Sequence, residues 1–289
     1  MIFYFSGTGN TRWAAQQLAE ATHERLLFIA DELKGGCDYT LEEDERIGFC
    51  FPVHGWQPPH IVREFVSRLT LHTPLGALRR FACEEPSTLR SAPCDASLAK
   101  NTKHSTEHYS YALCTCGDSI GLAMDMLSRE LQKKGVTLDA TLSLVMPESY
   151  VCLPFMYTDT PQREREKIEK SSQQLEAFCR VVRERQRGFD QLVLGAAPWL
   201  MSHVIGGYFN SRMITDRKFT VDADVCRHCG LCAQECPVGD IDFHDGIPHW
   251  RHDDSCTCCL SCYHHCPVHA INYGRITRRR GQYYFGRKG

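Results

Sequence analysis

Eight cysteines near the carboxyl end stand at a spacing that metal chemistry demands. Cys226, Cys229, Cys232 and Cys236, followed by Pro237, spell C-x2-C-x2-C-x3-C-P, and Cys256, Cys259, Cys262 and Cys266, followed by Pro267, repeat it thirty residues on. Ile241 returns as Ile271 at the same interval, so the stretch reads as an internal duplication of a ligand loop and a short helix. Four thiolates must surround an iron-sulfur cubane. A tight loop can supply three, and in two-cluster patterns the fourth cysteine serves the other cluster. The expected ligand sets are therefore Cys226, Cys229, Cys232 and Cys266 for one 4Fe-4S cluster, and Cys256, Cys259, Cys262 and Cys236 for a second. Choosing Cys258 over Cys259 would break both two-residue spacings, which leaves Cys258 unligated. Zinc prefers two separated C-x2-C pairs, and a duplicated three-cysteine run does not match that pattern.

A second candidate site stands at the amino end, where Ser6-Gly7-Thr8-Gly9-Asn10-Thr11 follows the apolar run Met1 to Phe5. Backbone N–H groups at a helix start, with the hydroxyls of Ser6, Thr8 and Thr11, can wrap a phosphate without a cationic side chain. The nucleotide P-loop is excluded because its lysine and its G-x-x-x-x-G spacing are missing, and the dinucleotide pattern G-x-G-x-x-G fails after Gly9.

The elements that must position these groups follow from periodicity. Apolar runs at Ile2–Phe5, Leu26–Ile29, Arg46–Phe51, Tyr109–Cys114 and Thr137–Met146 predict five strands. Helical patterns at residues 10–21, 59–69 and 119–134 lie between them, and a long helix opens at Thr160-Pro161 and ends before Gly188. That alternation signals a parallel α/β sheet. Asp118 and Ser119 read as helix N-caps. Residues 82–108, rich in Ser, Thr, Pro and Lys, read as a disordered surface insertion.

Composition limits the function classes. In 289 residues, 43% apolar and 24% charged content with a net charge of -2 describe a soluble globular protein with no field to gather nucleic acid. Seventeen cysteines, an odd number, argue against a paired disulfide framework. The start has neither a basic region nor an apolar signal core, so a reducing, cytoplasmic location is expected. Leu192 to Phe209 lacks charge, but Pro198, His203 and three glycines favour a buried interdomain segment over a membrane span, and no membrane partner is expected. The domain division is then 1–188, a linker at 189–217, and 218–289.

The loop FSGTGNT after an amino-terminal strand resembles the phosphate loop of flavodoxins, which bind FMN at the carboxyl edge of a doubly wound parallel sheet of order 2-1-3-4-5. Together with the cysteine repeat, the chain resembles the flavodoxin-ferredoxin fusion family, found mostly in anaerobic bacteria and archaea. That resemblance covers nearly the whole chain and departs most at 82–108. It implies a flavodoxin-like five-stranded α/β domain, then a small α+β ferredoxin-like domain holding two 4Fe-4S clusters. It also implies that the loop Pro52 to Trp56 embraces the flavin, with Trp56 stacked on the ring, while backbone groups of Val53, His54 and Gly55, and of Thr115, Cys116 and Gly117, meet its polar edge; Trp56 is equally readable as an aromatic that plugs the sheet edge. Cys116 is equally readable as a core thiol.

The function expected is electron transfer, relaying between FMN and the two clusters and on to redox partner proteins. Two alternatives stand beside it: an FMN-dependent oxidoreductase acting on a small substrate, and a partner- or nucleic-acid-binding module with structural clusters. The latter has Arg278-Arg279-Arg280 for support, a run that otherwise reads as a solvated face or a docking patch. His264 and His265, beside Cys266, read as surface residues.

Overall fold

The computed structural model describes residues 1–72 and 108–287. Its amino-terminal part runs β1 (Ile2–Tyr4), α1 (Asn10–Thr22), β2 (Leu26–Phe28), α2 (Ile29–Glu32), β3 (Asp38–Thr40), β4 (Ile47–Pro52), α3 (His60–Arg68) and β5 (Thr70–His72). After the undescribed stretch come β6 (Ser110–Cys116), α4 (Ala123–Lys133), β7 (Ala140–Val145), α5 (Pro161–Arg183) and β8 (Phe189–Gln191). Strands β2-β1-β4-β6-β7-β8 form one sheet, and every pairing in it is parallel. β3 and β5 make a separate two-stranded parallel pair.

The sheet has six strands where the sequence predicts five. β8 adds to the edge beyond β7, pairing Phe189 with Ala140, and places residues 189–191 in the sheet although the sequence reads them as linker. Its three residues, Phe-Asp-Gln, carry no apolar run, and their pairing follows from α5 crossing back over the sheet. Central strands β4 and β6 are buried along nearly their full length, as a parallel sheet covered on both faces requires. One face packs Phe3, Phe49, Phe51 and Phe65 under α3 and α4. The other packs Ile2, Tyr111, Leu113 and Phe178 under α1 and α5. Thr160 caps α5 as expected, its hydroxyl accepting from the Arg163 N–H, with Pro161 in the first turn.

A helical bridge follows, in which the wide turns Leu200–Ile205 and Phe209–Met213 flank α6 (Gly206–Tyr208). The sequence reads this stretch as buried, but only one side of it is. Ser202, Gly206 and Phe209 face the protein, whereas Trp199, Leu200, Val204, Ile205 and Tyr208 are exposed. No helix among the described residues is long and apolar enough to cross a membrane.

The remainder comprises β9 (Phe219–Val221), α7 (Leu231–Gln234), β10 (Ile241–His244), β11 (Ile247–Trp250), α8 (Ser261–His264) and β12 (Ile271–Tyr273). β9 pairs antiparallel with β12, and β10 with β11. The insertion read at 82–108 lies, apart from His108, outside the described residues.

Candidate functional site

The carboxyl ends of the strands enclose a cavity of about 240 Å³. Its first wall is the loop between β1 and α1. Gly9 sits in the left-handed region at φ 93° and is the N-cap of α1, with no side chain capping the helix. The first N–H groups of a thirteen-residue helix therefore stay available to an anion, with the helix dipole behind them. Ser6, Gly7, Thr8, Asn10 and Thr11 line the cavity, whereas Gly9 turns away and faces Phe285 in a second hollow. Thr11 and Thr115 share a hydroxyl hydrogen bond of 2.8 Å, which ties this wall to the end of β6. The Asn10 amide donates to the Pro147 carbonyl at 3.2 Å.

Pro52, Val53, His54, Gly55 and Trp56 form the second wall, and Thr115, Cys116 and Gly117 the third. The bridge holds the second wall in place. Ser202 receives the Leu122 N–H and donates to the Trp56 carbonyl, the Gln57 amide donates to the Ser202 carbonyl, and the Asn210 amide donates to the His54 carbonyl. The Trp56 indole N–H donates to the Ser119 hydroxyl at 3.2 Å. Ser119 is thus a partner of Trp56 and not a helix cap, since α4 begins four residues later with Leu122 as its N-cap. Burial lowers the His54 pKa to about 4, and His60 adds to the effect, so the imidazole is neutral at pH 7. Cys116 lines the cavity and also belongs to the core, and burial pushes its thiol up to about 12. It is no thiolate nucleophile at neutral pH.

A fourth wall is absent from the sequence reading. Glu148, Tyr150, Leu153 and Met156, from the loop after β7, close over the cavity with Phe209 of the bridge. Tyr150 and Phe209 meet edge to face at 5.1 Å. The Glu148 carboxylate occupies the space a side chain at residue 117 would fill, and it accepts the Ser149 and Tyr150 N–H groups at 2.9 and 2.8 Å. Burial raises its pKa; those two N–H bonds and nearby Lys167 oppose the rise. Lys167 donates to Asp159 at 2.6 Å and to the Gly117 carbonyl at 2.8 Å, which fixes the third wall. One general signal pointed here: ligands in open α/β sheets bind outside the carboxyl ends of the strands, and Glu148 follows β7 directly.

The cysteine repeat folds as a repeat. Cys226 accepts from the His228 N–H and Cys256 from the Cys258 N–H, both at 3.4 Å. Cys236 accepts from the Asp240 N–H at 3.3 Å, and Cys266 from the Ala270 N–H at 3.2 Å. His228 and Cys258 both take positive φ, as do Gly230 and Leu260, and Gly239 and His269. Cys258 therefore stands at the position His228 holds in the first half, a turn residue between ligands, and its thiol contacts Cys152 instead. Burial raises the Cys232 thiol to about 11, and the nearby Cys266 and Cys229 sulfurs add to the rise. Cys262 is also raised, by burial and by Cys259, Cys256 and Cys236. The fourth cysteine of each motif thus lies among the other motif's thiols. Buried thiols so crowded resist ionisation alone, and a bound metal cluster supplies the positive charge that deprotonates them.

The two sites share a wall. Thr257, Cys258 and Cys259 line the same cavity as the glycine loop, and a Cβ on Gly7 would stand 2.6 Å from the Cys259 Cβ. The chain end binds the halves further: the Phe285 N–H donates to the Thr8 carbonyl, Trp13 and Phe285 stack at 5.0 Å, and the Tyr283 hydroxyl donates to Asn10 at 2.7 Å. His264, expected at the surface, is buried. Its Nδ1 accepts the Tyr283 N–H, so Nε2 carries the proton and donates to the Ser149 carbonyl at 2.6 Å. His265 is half-buried and stacks on Tyr284 at 4.2 Å. Arg280 is not a free surface cation, because its guanidinium lies 3.5 Å over the Tyr157 ring.

Among known families, the one described as a 4Fe-4S binding domain matches residues 219–242, a stretch holding the first cysteine motif. No curated protein matches the chain. Among solved structures, the Trp repressor binding protein of Bacillus subtilis is 12% identical over 63% of this chain and 97% of its own, with a TM-score of 0.34. Candidate flavoproteins of Bacteroides eggerthii and Bacteroides uniformis are 14% and 16% identical. The first covers 59% of this chain and 96% of its own at a TM-score of 0.28; the second covers 50% and 88% at 0.27. At these identities and TM-scores the likenesses carry no weight for fold or function.

Proposed function

We propose that the chain is an electron-transfer protein in which FMN in the cavity exchanges electrons with two 4Fe-4S clusters, one on Cys226, Cys229, Cys232 and Cys266, the other on Cys256, Cys259, Cys262 and Cys236. The observation that carries this reading is the contact between Cys259 and Gly7, which makes one cofactor's ligand loop the wall of the other's cavity. When bound, the flavin supplies one- or two-electron chemistry and each cluster a single electron, so the pair converts between the two kinds of donor.

The chain's own residues bind, orient and exclude water. The uncapped start of α1 and the hydroxyls of Ser6, Thr8 and Thr11 hold a terminal phosphate. Trp56 and Tyr150 offer ring surfaces, and Leu153, Met156 and Phe209 keep the cavity apolar. The four N–H groups aimed at Cys226, Cys236, Cys256 and Cys266 stabilise negative charge on sulfur and so set potential. Because Cys229 is exposed, the first motif is the side that redox partner proteins would approach.

Anaerobic purification with iron, sulfide and flavin counted per chain, followed by a redox titration, tests the reading. It expects about eight irons and one FMN. Eight irons with no flavin taken up after FMN is added would refute it and leave the clusters alone as cofactors. Steady turnover of NAD(P)H with a quinone by the isolated protein would instead establish a substrate-reducing enzyme.

A further inference from the structure

The helical bridge presents an apolar ridge to solvent that no part of the relay uses. Trp199 is 62% exposed, Leu200 47%, Val204 51%, Ile205 44% and Tyr208 65%, and nothing among the described residues covers them. Leu200, Val204 and Tyr208 recur every four residues, on the side opposite Ser202, Gly206 and Phe209, which pack inward. Large apolar side chains gathered on one exposed face mark a surface that binds something.

Charge selects the partner. Between Asp190 and Asp216 there is no acidic side chain, and the exposed Arg212 and Arg217 follow the ridge, with Lys218 beyond them over the Tyr273 ring. A second copy would bring these cations against each other with no acid from this stretch to answer them. The exposed side chains also stand in a row along one helical segment, and a protein partner would need a groove to match. An anionic lipid surface answers the charge and yields to the shape. Trp and Tyr at the two ends, with branched aliphatics between, are the side chains favoured at the headgroup boundary.

We infer that the bridge lies along the surface of an anionic membrane, its apolar ridge inserted at the headgroup level and Arg212 and Arg217 set against lipid phosphates. The glycines, Pro198 and His203 that disfavour a crossing helix do not oppose this mode, which needs one apolar face and no full span. The inward side of the same helix holds the Trp56 loop, so attachment would place the cavity rim beside the lipid.

Sedimentation of full-length, cluster-loaded protein with vesicles tests the inference. Phosphatidylcholine alone is compared with equal parts phosphatidylcholine and phosphatidylglycerol. Binding to the anionic vesicles is expected, reduced by high salt and weakened about tenfold or more in L200E/V204E. Those positions are exposed, and unchanged cluster absorbance and thermal unfolding would show the variant folded. R212Q should lower affinity for the anionic vesicles and leave neutral ones unaffected. Absence of sedimentation with either vesicle, or equal sedimentation of L200E/V204E, would overturn the inference. So would a wild-type dimer that L200E/V204E dissolves, which would assign the ridge to a second copy.

Discussion

At the scale of single residues, two side chains of the cavity act through charge. His54 ionises near 6.5 in an unfolded chain and near 4 in the fold. Below pH 6.5 the unfolded state takes up a proton that the fold refuses, so stability falls as pH drops and this contribution levels off below about 4. The slope is at most about 1.4 kcal/mol per pH unit. Urea unfolding of flavin-free protein at pH 7.5 and 5 should show this component in the wild type and lose it in H54Q. Glu148 lines the same cavity and would act on the proposed flavin. Burial raises its pKa, so its charge is lost at a higher pH than that of an exposed carboxylate. That charge opposes the negative charge a reduced flavin gains. E148Q should raise the midpoint potential of bound FMN by on the order of 60 mV for a one-electron step, a tenfold equilibrium effect. The difference should vanish at low pH; a potential unmoved at high pH would remove Glu148 from the flavin's surroundings.

At the scale of elements, the glycine loop serves two neighbours at once. Its left-handed Gly9 leaves the start of α1 uncapped toward the cavity, and Gly7 lets the second cysteine loop come into contact. Gly7→Ala would set a methyl 2.6 Å from the Cys259 Cβ, with both backbones fixed by their own sites. The expected loss is about 1–3 kcal/mol with faster cluster decay, read by thermal unfolding and by the visible absorbance. Gly36→Ala is the control, because nothing lies closer than 4.0 Å to a Cβ there. Equal behaviour of the two variants would show that the loops are not in contact. The cysteine repeat is legible at this scale too: its duplicated left-handed residues and N–H bonds to sulfur follow the thirty-residue interval, and that interval explains Cys258 as a turn position.

At the scale of the whole molecule, the two halves are held by polar groups whose removal leaves buried partners unsatisfied. His264→Ala would strand the Tyr283 N–H and the Ser149 carbonyl, at a cost of about 2 kcal/mol or more. Tyr283→Phe loses one hydrogen bond to Asn10 and should cost about 1 kcal/mol. In the wild type, far-ultraviolet dichroism and cluster absorbance should fall in one transition, and in His264→Ala they should separate. Coincident transitions in the variant would mean that the halves are joined chiefly elsewhere, through Phe285 and the bridge.

The sequence by itself determined the cysteine ligand spacing, the phosphate-type loop after the first strand and the alternation that makes a parallel sheet. Each of these is written in neighbouring residues: a loop's reach fixes its thiols, and periods of two and near four fix faces. Tertiary structure alone decided the rest. β8 has no apolar run and exists because β7 offers an edge, and Glu148 reaches the cavity because β7 ends there. His264 is buried because residues over a hundred positions away cover it. The bridge reads as uniformly apolar along the chain, and only packing could show that one side of it faces out. The meeting of Gly7 with Cys259 joins residues that no local pattern relates, and it is on that contact that the proposed relay rests.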